Sequence, residues 1–400
     1  MSRVGRRREW FREAAAVRIV HRVHRVVVMT TTGREHSVPG TGGPLDENEI
    51  LAAVDQYVTE VGADVQGLWS RALDGTPDAV LGDIDLPARL ARLTRNGGKR
   101  IRPLMCHWGF VCAGGTSEAG RDAAIRAGAA LELLHTFALV HDDVMDESDT
   151  RRGEPAAHVL AAEAHRAVGA YGSPDRYGES IAILIGDLAH TMADALIATL
   201  PPRMRRLWFE LNIELIAGQR EDLSGAATGP GDLRRARRIA RIKSGAYTVT
   251  RPLQLGALAA GADDDVLSVL ESYGDEMGWV FAARDDLLGA WGDPRETGKP
   301  SGDDLRQHKP TTLRVEAQNH LDGPGLTLLE RVGTTDERPG DVEALQDAMT
   351  RAGIRERAEH SISDGVDRAV TILHRADGVL HADGIRELVR MTRHIAWRTS

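Results

Sequence analysis

Two adjacent-carboxylate pairs, Asp142-Asp143 and Asp285-Asp286, lie inside apolar runs that a folded chain has to bury. The runs are LLHTFALVHDDVMDESDTRRG (133–153) and MGWVFAARDDLLGAWGDP (277–294). Adjacent carboxylates are costly to desolvate unless cations neutralise them. Hard divalent ions do so through carboxylate oxygens, sharing their remaining coordination with phosphate. Helical periodicity is apolar almost all round at 119–147 and 264–291, which marks both segments as central helices of a bundle. Acids near the C-terminal end of a helix oppose its dipole, so their placement serves chemistry rather than helix stability. An all-α bundle around a site for metal ions and a phosphorylated ligand is therefore expected.

The rest of the chain supports that class. Ala, Leu, Arg and Glu dominate, aromatics are only 4%, and long segments lack Pro and β-branched runs. Further helical periodicity is read at 46–72, 99–113, 177–199, 203–226, 232–249, 341–352, 354–377 and 381–397, with Gly- and Pro-rich breakers between. No uncharged apolar stretch of 18 residues is present, which argues against a membrane span. Cys106 and Cys112 offer neither a disulfide framework nor zinc spacing and suit a reducing, cytoplasmic setting. Asp263-Asp264-Asp265 reads as an N-cap with its first turn.

Charge divides the chain. Residues 1–28 hold eight Arg against two Glu, while the whole carries −9, so the remainder is acidic. That argues against nucleic acid as a partner. Residues 1–45 read as a basic arm and a Gly/Thr/Pro linker, with the folded body at 46–400. For the arm, a disordered tail, a helix for anionic surfaces and sequence upstream of a true start at Met29 all remain open.

Only four of the 50 basic residues are lysines: Lys99, Lys243, Lys299 and Lys309. Each is flanked by Gly, Ser, Thr or Pro, in GGKRIRP, RIKSGAY, TGKPSGDD and QHKPTT. A compact ammonium at such places suits a point charge against phosphate.

In Asp142-Asp143-Val144-Met145-Asp146, positions 142 and 146 lie about 40° apart around a helix, so both acids can grip metal from one face. Arg151-Arg152-Gly153 follows, with two guanidiniums suited to diphosphate oxygens. Together with GGKRIRP (97–103), GQREDL (218–223), KSG (243–245) and DDLLGAWGDPRETGKPSGDD (285–304), this stretch resembles the trans-isoprenyl diphosphate synthases of the polyprenyl synthetase family. The resemblance covers roughly 46–400, with five motifs in family order.

The resemblance implies an all-α bundle with a deep central cavity, usually a homodimer, using Mg²⁺ to join isopentenyl diphosphate to an allylic diphosphate. Asp142, Asp146 and Asp285 match direct metal ligands, and Asp143, Asp222, Asp286 and Asp303 match supporting acids. Arg151, Lys243, Lys299 and Lys309 match the cations around the allylic diphosphate, with Ser244 beside them. Lys99, Arg102, His135 and Arg152 match the pocket for isopentenyl diphosphate. This chain departs from the pattern at Gly289, where the family carries a third Asp, and at Ala282, often a Gln there. Phe137 and Ala138, five and four residues before Asp142, resemble the floor of synthases making C20 geranylgeranyl diphosphate. A C15 or longer-chain synthase, or a non-catalytic partner subunit, is the alternative.

Overall fold

The computed structural model describes residues 45–73, 85–95, 98–229, 231–297 and 301–399. The basic arm lies outside them, apart from Leu45. The first helices are α1 (Glu47–Ala72), α2 (Leu86–Arg95), α3 (Ile101–Cys112) and α4 (Glu118–Met145). A hairpin of β1 (Thr150–Arg151) and β2 (Glu154–Pro155) follows, then α5 (Ala157–Ala167), α6 (Pro174–Ile197) and α7 (Pro202–Thr228). Next, α8 (Leu233–Ala240) continues through a π-helical stretch (Arg241–Thr250) into α9 (Arg251–Ala259). Then come α10 (Asp264–Trp291), α11 (Pro294–Thr297), α12 (Asp303–Arg306), α13 (Thr312–His320) and α14 (Gly323–Arg331). α15 (Asp341–Arg351), α16 (Ile354–Arg375) and α17 (Ala382–Ala396) complete the bundle. The all-α expectation holds, with the small hairpin as its one addition among the described residues.

Helix starts follow from local chemistry. Asp46 and Glu49 form a reciprocal capping box, each side chain accepting the other's backbone N–H at 2.9 Å, which starts α1. Asp263 caps α10 by accepting from Val266 N at 3.1 Å, and Asp264 and Asp265 occupy its first turn. The triple Asp is thus a helix start.

The helices α4 and α10 are the central pair. α4 packs mainly on α6 and α3, and α10 on the π-helical stretch and α16. Glycines set the closest approaches. A Cβ on Gly245 would lie 2.8 Å from Gly278 Cα on α10, and one on Gly218 of α7 would lie 2.8 Å from the Lys243 backbone. The π-helical stretch is thereby seated against both neighbours, with Lys243 between the two acidic helix ends. Local π geometry is frequent where a helix serves a site.

Some elements escaped the periodicity. α2, α5, α13 and α14 have only 9 to 11 residues each, which leaves little repeat to read. α4 and α6 are long and apolar enough to cross a membrane by length and composition alone, a test that the core helix of a bundle also passes. In α4 that window is 72% buried within the bundle, as a core helix requires, and in α6 it is 44% buried.

Candidate active site

A cavity of about 950 Å³ opens where α4, α7, the π-helical stretch and α10 converge. Asp142 and Asp285 face it from the two central helices, and Asp146 forms the C-cap of α4. Asp142 Oδ1 accepts from Lys243 Nζ at 3.2 Å and from Gln219 Nε2 at 3.0 Å. Lys243 also holds Asp222 of α7. Lys309 Nζ lies 3.3 Å from Asp146 Oδ2 and 3.2 Å from Asp304 Oδ1. Two lysines therefore bridge four acids from three segments around one mouth.

Electrostatics follow from this arrangement. Burial pushes the Asp142 carboxyl up, but Lys243, Lys309 and Arg151 outweigh it and hold it down at about 2. Asp146 is raised by burial and by the charge of Asp142, with Lys309 opposing. Desolvation and the neighbouring Asp304 and Asp285 push Asp286 well above the usual carboxylate range. Lys243 and Lys309 are desolvated, yet the acids around them raise both above their ordinary value. The cluster is therefore balanced by cations rather than left as bare negative charge.

The hairpin shapes the next part of the wall. Arg152 and Gly153 have φ of 54° and 76°, the two left-handed positions of a tight two-residue hairpin turn. The turn separates its arginines: Arg151 Nε donates to Asp143 Oδ1 at 2.8 Å, while the Arg152 guanidinium packs against Gly98, beside Lys99. Asp143 is thus a buried anchor for Arg151 rather than part of the mouth.

Opposite lies a second group of donors. Arg102 donates to Tyr247 Oη and, at 2.9 Å, to Thr248 Oγ1, and its guanidinium stacks 4.1 Å over the Tyr247 ring. His135 Nδ1 shares a 2.9 Å hydrogen bond with the same Tyr247 hydroxyl. Burial, then Arg102 and Arg152, keep the His135 imidazole well below its ordinary value, so it is neutral at pH 7. Lys99 is lowered to about 8 by burial and by Arg398, against Asp285.

The structure thus brings Lys99, Arg102, His135, Asp142, Arg151, Arg152, Asp222, Lys243, Ser244, Asp285, Asp286, Asp303 and Lys309 onto one cavity wall. Lys299 lies outside the described residues. Ala138 lines the cavity; Phe137 instead packs against His141 and His190 of α6, with ring centroids 4.6 and 5.0 Å apart. His141 Nε2 contacts Ile183 O at 3.0 Å. Sequence reasoning missed Gln219, Tyr247, Asp304 and Arg398. Gln219 and Asp304 sit inside the motifs GQREDL and GKPSGDD, whereas nothing in the sequence near Arg398 signals a site.

Arg398 deserves its place in the geometry because it pairs with Asp285 while only 3% exposed, donating also to Phe281 O at 3.2 Å. Arg284 of α10 donates to Ala396 O at 2.7 Å and so fastens this last segment beside the acidic pair.

Carboxylate oxygens alone form the candidate metal donors, which fits a hard divalent cation. Among the described residues no three acid, His or Cys side chains are grouped to hold one ion as they stand. The acids are spread around a mouth, so any ion there would share its coordination with a diphosphate.

Such a bundle, with opposed acids and two sets of phosphate-type cations on one cavity, defines a diphosphate-handling transferase. The polyprenyl synthetase model matches residues 86–349, and the chain belongs to that family. It is similar to the geranylfarnesyl diphosphate synthase of Aeropyrum pernix, with 32% identity over 72% of this chain and 86% of the relative. It is also similar to the (2E,6E)-farnesyl diphosphate synthase of Mycobacterium bovis, with 30% identity over 70% of this chain and 76% of the relative. Among solved structures, geranylgeranyl pyrophosphate synthase from Corynebacterium glutamicum, complexed with isoprenyl diphosphate and magnesium, superposes with TM-score 0.79. That match is 32% identical and covers 88% of this chain and 100% of the other. The protein is a trans-prenyltransferase acting on isoprenyl diphosphates, of a family that uses divalent metal. Its relatives carry different product lengths in their names.

Proposed function

We propose that this chain joins isopentenyl diphosphate to an allylic diphosphate with Mg²⁺, making geranylgeranyl diphosphate (C20). The observation that carries the reading is the division of one cavity between two cationic groups. Lys243, Lys309 and Arg151 stand with the acids, while the cations Lys99, Arg102 and Arg152 line another part of the wall together with neutral His135. Two diphosphates need two such groups, whereas cyclising one prenyl diphosphate needs only the first.

Asp142, Asp146 and Asp285 would hold the metal, with Asp143, Asp222, Asp286 and Asp303 supporting, and its chemistry there is to draw charge from the departing pyrophosphate. Lys243, Lys309 and Arg151 bind the same diphosphate oxygens and stabilise them as the allylic C–O bond breaks. Lys299 belongs to the same proposed set. Ser244 lies on the π-helical stretch next to Lys243 and lines the same cavity. The apolar wall below, including Ala138, keeps water from the resulting carbocation. Lys99, Arg102 and Arg152 hold isopentenyl diphosphate, with neutral His135 oriented by Tyr247. Its double bond attacks the cation, forming the new C–C bond. A proton then leaves to the released pyrophosphate, and the product is an allylic diphosphate longer by five carbons.

The C20 length rests on the seam between α4 and α6. Phe137, wedged against His141 and His190, closes that seam one turn below Asp142. Replacing it by Ala should lengthen the product by at least one isoprene unit, read by chromatography of the dephosphorylated alcohols; an unchanged length would remove Phe137 from this role. Incubating the protein with Mg²⁺, isopentenyl diphosphate and each allylic starter tests the whole reading. No elongated product from any pairing overturns it, and a C15 endpoint overturns the length.

A homodimer acting in the cytoplasm through the body 46–400 completes the proposal. Ile183 and Leu184 on α6 and Phe209, Ile213 and Ile216 on α7 are exposed, and the last three share one helical face. A monomer by analytical ultracentrifugation at micromolar concentration would count against the dimer.

A further inference from the structure

Arg100 stands between Lys99 and Arg102, yet its own guanidinium is engaged by the protein at all three nitrogens. Nη2 donates to Thr94 O of α2 at 3.1 Å. Nε lies 3.3 Å from Glu132 Oε2 of α4, and Nη1 lies 3.1 Å from Asp55 Oδ1 of α1. One planar fork thus ties the start of α3 to three other helices.

The backbone gives that fork something to hold. Arg100 has φ 48° and ψ 36°, a left-handed conformation that is unfavourable for a residue with a Cβ and persists where surrounding contacts fix it. The turn made there leads from Lys99 into α3, and both Lys99 and Arg102 line the cavity. Arg100 is the N-cap residue of α3 but gives it no side-chain cap, because its side chain goes to the fork instead.

Glu132 is the buried end of the arrangement, only 6% exposed. It lies three residues before His135 on the same face of α4, and both line the cavity. Thr136 donates to Glu132 O at 3.0 Å and to Thr94 Oγ1 at 3.3 Å, which joins α4 to the same end of α2. A carboxylate beside a phosphate pocket repels the ligand, so charge alone gives no reason for an acid at this place.

We infer that Arg100 and Glu132 are positioning residues for the second diphosphate group: their pair holds the Lys99–Arg102 turn against the His135 face of α4, and neither touches the ligand. This rests on the reading of Lys99, Arg102, His135 and Arg152 as the isopentenyl diphosphate pocket. Arg102 is then fixed from two sides, by the turn that Arg100 holds and by Tyr247 and Thr248. The pocket is assembled before its ligand arrives, which removes the cost of ordering long cationic side chains on binding.

Charge and position make different predictions for conservative variants. Isopentenyl diphosphate is titrated into the full chain by calorimetry, with Mg²⁺ and saturating inorganic pyrophosphate but no allylic substrate, so no turnover occurs. Arg100→Lys keeps the charge and loses the fork. It should weaken binding roughly 10-fold, within the 10²-fold that a misplacement of about 1 Å can cost. Glu132→Gln removes a negative charge beside the diphosphate, so a purely electrostatic role would tighten binding, whereas a positioning role weakens it. In steady-state assays KM for isopentenyl diphosphate should rise in both variants while KM for the allylic diphosphate stays native. In a Lys99→Ala background, Arg100→Lys should cost less than in the native chain, because it acts through Lys99. Tighter binding in Glu132→Gln overturns the proposal. So does a parallel loss for both substrates with lower thermal melts, which would make the pair merely structural. Should Glu132→Gln not fold, Arg100→Lys and its KM split decide alone. If Lys99→Ala binds isopentenyl diphosphate with native affinity, the pocket assignment itself fails. If Lys99→Ala weakens binding and Arg100→Lys does not, the pocket stands and the positioning role fails.

Discussion

The acidic ends of α4 and α10 face one cavity but are assembled by different means. The first is local: Asp142 and Asp146 are four residues apart, and the hairpin five residues on supplies Arg151 and Arg152. Its counter-ions are two lysines, which can turn from carboxylate to phosphate by rotating a flexible stem. The second end is composite. Asp285 is met by Arg398 from beyond α17, and the space beside Gly289 is taken by the carboxylate of Asp304 from α12. A motif built within one helix turn takes the spacing of its acids from that helix. A motif built from three segments depends on how they are fastened together, here through Gly302, Gln346 and Arg284.

The contrast predicts unequal sensitivity. Asp142→Asn removes the anion to which Lys243 and Gln219 are both directed, and kcat should fall by roughly 10²–10³-fold or more, as when one preorganised charge-stabilising group is lost. Asp285→Asn should cost about tenfold less, because Asp304 and Asp286 remain nearby to share the metal. Steady-state kinetics at saturating Mg²⁺ on both variants decides this. Equal losses would mean that the two ends are equivalent after all and that Asp304 adds nothing to the second.

What the sequence made legible follows the same division. The all-round apolar character of 119–147 and 264–291 marked both central helices, and i,i+4 spacing marked the face shared by Asp142 and Asp146. Motifs within a few residues of a helix end carried most of the cavity wall, including Lys99, Arg102 and Lys243. Contacts made across large sequence separations left no local trace. The Arg398–Asp285 pair spans 113 residues, and Tyr247 joins Arg102 and His135 from 145 and 112 residues away. The resemblance named Asp303 as the supporting acid beyond Gly289, whereas the folded chain sets the carboxylate of its neighbour Asp304 against Gly289. Phe137 illustrates a further limit, since spacing placed it below Asp142 without revealing that its ring turns toward His190 rather than onto the cavity wall.

The smallest expected effect lies where the composite end touches the second group of cations. Lys99 is lowered to about 8 by burial and by the Arg398 guanidinium, with Asp285 pulling the other way, while Arg102 and Arg152 stand nearby as permanent charges. Below pH 8 its ammonium is present and available to a diphosphate. Above that pH the proton is lost, so kcat/KM for isopentenyl diphosphate should decline by up to about tenfold per pH unit on the alkaline limb, which reports the free enzyme. The stability effect has the opposite sign: between pH 8 and the ordinary lysine value the unfolded chain binds the extra proton, so this group's contribution to stability rises with pH. Lys99→Arg should flatten the alkaline limb, because a guanidinium keeps its proton throughout. Arg398→Ala should move the limb to higher pH by removing the nearby positive charge. A limb that survives Lys99→Arg unchanged would assign the titration to another group. A limb that Lys99→Arg abolishes but Arg398→Ala leaves in place would show that burial alone sets the Lys99 value, and that the composite end of α10 is electrostatically separate from the second diphosphate group.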